Sequence, residues 1–126
     1  LVVEDAIFAL EWSKNLGGLK GLQARSDANA AALNKIVAER DWLGHLAADE
    51  ATRSKTSVCL TVEGADADFI KKFAALLEKA EAAYDVAGYR DAPAGLRIWC
   101  GATVETADIE ALGPWLDWAY ATVKAG

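Results

Sequence analysis

The chain has 126 residues, 53% hydrophobic and 25% charged, with two prolines and no repetitive tract, a composition that gives one ordered domain around a single core. Its formal charge of −6, with 13 basic residues scattered among 19 acidic ones, excludes the basic face that nucleic acid or an anionic membrane requires. The apolar runs are far shorter than a bilayer span and no signal-peptide pattern opens the chain, so a soluble cytoplasmic protein is expected.

From Val2 to Asn15 the apolar positions Val3, Ala6, Ile7, Leu10 and Trp12 fit a helical period, and Gly17-Gly18 stops it. A second, longer helix is expected from about Leu19 to Glu39, with Leu22, Leu33, Ile36 and Val37 on its apolar side. Trp42 to Ala47 suggests a short edge strand, followed by a polar loop. Thr56 to Glu63 alternates, with Val58, Leu60 and Val62 on one face and Ser57, Cys59 and Thr61 on the other, which is a strand ending at Gly64. Asp66 to Ala83 is an amphipathic helix with Phe69, Ile70, Phe73, Leu76 and Leu77 on one stripe.

Tyr84 to Tyr89 and Leu96 to Gly101 are expected as two antiparallel strands around the turn Arg90 to Gly95. Thr106 to Val123 keeps helical register, but Pro114 cannot donate to the carbonyl of Glu110, so a kink or two abutting helices are expected. This order predicts an α+β fold: a small, largely antiparallel sheet with helices packed on one face, forming a single domain over residues 1–126. The absence of methionine and a start at Leu1 in helix-like sequence predict a piece of a longer polypeptide.

Much chemistry is absent from the sequence. His45 is the one histidine and has no zinc-like spacing around it, so a surface or satisfied histidine is expected and no metal site. No phosphate loop and no nucleophile elbow occur, and Cys59 and Cys100 are expected as core thiols without a disulfide. What remains is a pair of arginines, Arg90 and Arg97, bracketing a Pro/Gly turn, the second inside the apolar run Leu96, Ile98, Trp99, Cys100. A guanidinium stays charged and its planar fork suits a carboxylate or phosphate. Strand alternation turns Arg97 and Trp99 away from Leu96 and Ile98. Two readings then stand: an exposed arginine pairing with Asp91 or Glu105 on a solvated face, or an anion receptor beneath a second domain. Tyr89, beside Arg90, could donate to the same anion. The other tryptophans, Trp12, Trp42, Trp115 and Trp118, are expected to be core or interface residues.

Three pieces carry a family resemblance: Trp12-x-Lys14-x-x-Gly17-Gly18, Arg53-Ser54 before an alternating strand, and Gly88-Tyr89-Arg90, a turn, then Gly95-Leu96-Arg97. In order and spacing they resemble the C-terminal small domain of the phosphoserine aminotransferase family, in the class V group of fold-type I pyridoxal-phosphate enzymes. The resemblance covers nearly the whole chain. It implies that Arg97 grips the substrate α-carboxylate and that Arg90 helps bind the side-chain phosphate of phosphoserine or the γ-carboxylate of L-glutamate. Tyr89 stands where the family commonly has a phosphate-assisting histidine, Ala94 replaces a glycine, and the turn is one residue longer, which leaves the exact substrate open.

The resemblance also implies a cytoplasmic homodimer and a large cofactor-binding domain, absent from this chain, whose lysine, upstream of Leu1, carries pyridoxal 5'-phosphate. No catalytic or cofactor-binding residue is then expected among these 126, and the piece alone should be inactive. The alternatives are another class V aminotransferase with a non-phosphorylated substrate and, from a different class, a free-standing binding or dimerisation module.

Overall fold

The computed structural model describes all residues from Leu1 to Gly126. Three strands, β1 (Leu43–His45), β2 (Ser57–Val62) and β3 (Gly95–Trp99), form an antiparallel sheet in that order. Four helices complete it: α1 (Val2–Asn15), α2 (Gly18–Ala38), α3 (Ala67–Lys79) and α4 (Thr106–Ala125), with a 3₁₀ turn at Glu50–Thr52. The expected α+β class holds.

Alternation decides which face of the sheet is covered. Val58, Leu60 and Val62 of β2 and Leu96 and Ile98 of β3 are buried against Leu33 of α2, Phe73 of α3 and Leu116 of α4. Register places Val58 opposite Ile98 and Leu60 opposite Leu96, so their side chains share that face. The intervening residues, Ser57, Cys59, Thr61, Arg97 and Trp99, are half-buried or exposed on the opposite face. The sheet therefore has one packed side and one open side.

Glycine separates the first two helices. Gly17 has φ 99° and Gly18 φ 66°, a left-handed pair that ends α1 and redirects the chain into α2. Asp66 caps α3 by accepting from the Phe69 amide at 2.8 Å.

Two expectations are corrected, and one of two alternatives at Pro114 is set aside. The helix from Asp66 ends at Lys79 rather than near Ala83, because Glu81 turns left-handed (φ 55°) and the Ala82 and Glu81 amides donate to the Leu77 and Glu78 carbonyls. This is a Schellman ending with glutamate where glycine is usual. Tyr84–Tyr89 is not a strand. Asp85 is also left-handed (φ 53°), which breaks the extended run, and pairing with β3 is reduced to one antiparallel bridge, Ala87 with Leu96.

At Pro114, where a kink or two abutting helices were expected, α4 continues as a single helix, which sets the second alternative aside. Ile109, Leu112, Leu116 and Ala119 are buried on both sides of the proline, so packing holds the helix through the missing hydrogen bond. Arg40 lies against Gly113 and makes a fork onto Asp117, with Nε and Nη2 each 2.7 Å from a carboxylate oxygen. Asp117 in turn raises the Arg40 pKa above the usual arginine value. No helix is long and apolar enough to cross a membrane.

Candidate functional site

Arg97 sits at the middle of β3, opposite Cys59 of β2, on the open face. Its neighbours Leu96 and Ile98 anchor the strand in the core, so the backbone beneath the guanidinium is fixed on both sides. The side chain is 26% exposed and makes one hydrogen bond, from Nη2 to Oδ2 of Asp85 at 2.7 Å. Asp85, and neither Asp91 nor Glu105, is thus its carboxylate partner; Glu105 instead pairs with Arg25 at 2.8 Å.

Tyr89 completes the arrangement. Its ring lies under the guanidinium, 4.6 Å from centroid to Cζ, and its hydroxyl is hydrogen-bonded to Ser57 Oγ at 3.2 Å. A cation over an aromatic face is attracted by the ring quadrupole, which orients the plane of the fork. Contact with the Tyr89 phenol is the main influence raising the Arg97 pKa, and the Asp85 charge adds to it. Conversely, the Ser57 hydrogen bond, then Arg97, hold the Tyr89 phenol below the ordinary tyrosine value.

Ser57, Asp85 and Arg97 border a cleft of about 380 Å³ with Trp99 on the same face and Ile109 and Leu112 behind it. Trp99 is 55% exposed and packs across Gly101, where a Cβ would collide with the indole. Arg90 lies elsewhere. It is exposed, makes no hydrogen bond or ion pair, and borders a separate groove with Lys71 and Glu78 of α3. Tyr89 lines that groove as well, so it stands between the two arginines, stacked on Arg97 and bordering the Arg90 groove, while the arginines themselves share no cleft.

Sequence reasoning missed Asp85, Ser57 and Asn29. Asn29 is fully buried on α2; its Nδ2 reaches the carbonyls of Cys100, Gly101 and Val104, and its Oδ1 accepts from Thr106 Oγ1 at 2.6 Å. It fixes the loop that follows the Arg97 strand. A lone asparagine among alanines on a helix face was the available signal. His45, expected as a surface or satisfied histidine, is half-buried; its buried Nδ1 has no partner, and burial first, then Arg53, lowers its pKa. Cys100 is buried in the core and Cys59 half-buried, both as free thiols.

No family model matches the chain. The phosphoserine aminotransferase of Methanosarcina barkeri is 46% identical over 124 residues, 98% of this chain and 33% of that protein. The Methanosarcina mazei phosphoserine aminotransferase is 44% identical over the same coverage. Among solved structures, the phosphoserine aminotransferase of Bacillus circulans subsp. alkalophilus superposes with a TM-score of 0.74 at 20% identity, covering 89% of this chain and 30% of that one. A phosphoserine aminotransferase studied for radiation damage of its Schiff base gives a TM-score of 0.73 at 18% identity. At those identities the structures show the fold alone. The chain spans about a third of the length of the curated relatives it matches. Over nearly all of its own length, it is a homologue of the C-terminal portion of the phosphoserine aminotransferases.

Proposed function

We propose that the chain is the substrate-binding small domain of a phosphoserine aminotransferase, transferring an amino group between L-glutamate and 3-phosphohydroxypyruvate in serine biosynthesis. The observation that carries this reading is the Arg97 fork, fixed from below by Tyr89 on the open face and using one donor, in a chain 44–46% identical to proteins of that name. An arginine so placed receives a carboxylate bidentately. Arg97 is assigned the substrate α-carboxylate, Arg90 the phosphate or γ-carboxylate at the far end, and Tyr89 a place beside Arg97.

Residues 1–126 are assigned as one domain, with a large domain and a second subunit, in a cytoplasmic homodimer, supplying the rest of the site. The exposure of α1 supports a covering partner: none of its residues is buried, and Val3, Ile7, Phe8 and Leu10 are at least half exposed. Pyridoxal phosphate needs a lysine for its imine, and no lysine borders the Arg97 cleft. The residues present therefore do not hold the cofactor, which is assigned to the large domain.

Small-domain chemistry is then orientation. A bidentate carboxylate clamp fixes rotation about the bond to Cα, and positioning of this kind can lower a barrier by several kcal/mol. In the full-length protein, Arg97→Lys should reduce kcat/KM for glutamate and phosphoserine by about tenfold to a hundredfold, because a point charge replaces a fork. Unchanged efficiency with both donors would remove Arg97 from the role. Alanine serves as the comparison donor. If it rivals phosphoserine in the unsubstituted protein, the reading shifts to a non-phosphorylated substrate, which the tyrosine in place of the usual histidine would favour.

A further inference from the structure

We infer that Asp85 is a resident competitor for the carboxylate subsite: a side chain that occupies the Arg97 fork while the site is empty and is displaced when substrate arrives. This rests on the reading of Arg97 as the carboxylate receptor. Three observations carry it, each concerning how the pair is made.

First, the contact is incomplete. Asp85 Oδ2 takes a single hydrogen bond from Nη2, whereas an arginine fork offers two parallel donors to a carboxylate that faces it squarely. An incoming carboxylate that uses both arms has the advantage over one that uses a single arm. Secondly, the resident carboxylate is in water. The Asp85 side chain is 84% exposed against 26% for Arg97, and an ion pair with one partner so solvated is weak and easily exchanged. Thirdly, the backbone holds it there. Asp85 has φ 53°, a left-handed conformation that aspartate and asparagine tolerate better than other side chains, and it follows the Schellman ending of α3 by only a few residues.

The neighbours fit a competitor better than a structural tie. Removing Asp85 would not leave Arg97 without support, because the Tyr89 ring lies beneath it, held by Ser57. Asp85 and Arg97 border the same cleft with Ser57 and Trp99, so displacement of the aspartate opens the fork directly into the cleft. The aspartate acts on substrate through Arg97 and touches no reacting atom; it sets affinity for the carboxylate end of every substrate alike.

The test uses the full-length protein carrying Asp85→Asn, with Asp85→Gly as a second variant that also tolerates the left-handed backbone. Steady-state kinetics with glutamate and phosphoserine give KM and kcat separately, and calorimetry with glutarate, a non-reacting dicarboxylate, gives a Kd. Loss of the competitor should lower both KM values and the glutarate Kd by about two- to fivefold, the span of an exposed ion pair, while kcat moves less than KM. KM and Kd that stay level or rise in both variants would overturn the proposal and make Asp85 a tie for Arg97. Arg97→Lys is measured in parallel. If it leaves efficiency unchanged, the carboxylate reading fails and this proposal with it; if it is damaging while the Asp85 variants show no fall, only the competitor role is lost.

Discussion

Arg97 and Cys100 lie three residues apart and have opposite environments, because a strand sends alternate side chains to opposite faces. Arg97 meets the open face; Cys100 is completely buried, and burial pushes its thiol up to about 11. Its ordinary value is 9.0, so the unfolded chain loses this proton first as pH rises. The stability from keeping the thiol neutral is intact below about pH 9 and is lost progressively between 9 and 11, to a total of roughly 3 kcal/mol. Denaturant midpoints taken from pH 8 to 11 should therefore fall more steeply than those of Cys100→Ala. Parallel curves would show that the thiol does not carry the effect. At this scale the outward aim of Arg97 was legible from alternation. Its partner was not, because Asp85 reaches it across a turn whose shape depends on two left-handed residues that are not glycine.

Those residues also explain where the reading of elements succeeded and failed. The break between α1 and α2 was visible because Gly17-Gly18 announces a left-handed ending, and β2 was visible because its alternation is complete. The end of α3 was hidden by Glu81, which takes the position glycine normally holds. A non-glycine residue there carries a conformational cost of about 1 kcal/mol. Glu81→Gly should accordingly raise the melting temperature, by an amount matching about 1 kcal/mol of stability, with the helix ending unchanged. A fall would show that the glutamate side chain contributes more than its backbone costs. The proline in α4 left a kink or a division open for a related reason: local propensity does not choose between them, and burial of residues on both sides of Pro114 keeps one continuous helix.

At the scale of the molecule, the core and α1 tell different stories. The core draws eighteen buried apolar residues from the strands, the loops and helices α2 to α4, and α1 supplies none of them. The amphipathic pattern of α1 was legible in sequence, but periodicity cannot say what covers an apolar stripe, and here the rest of this chain does not. If α1 packs on a large domain, as proposed, its apolar side chains stabilise the full-length protein and contribute little to the fold of residues 1–126. Charges in place of exposed apolar side chains of α1 should then separate the two. Ile7→Glu combined with Phe8→Glu is expected to leave the melting temperature of the isolated 126-residue chain within about 2 °C, because both side chains are at least half exposed there and exposed substitutions have small effects. In the full-length protein the same pair should lower the melting temperature by several degrees, since burying a charge in an apolar contact costs at least about 1–3 kcal/mol per group. Equal, small effects in both forms would mean that α1 is solvated throughout, and the covering domain would have to be sought on the open face of the sheet alone.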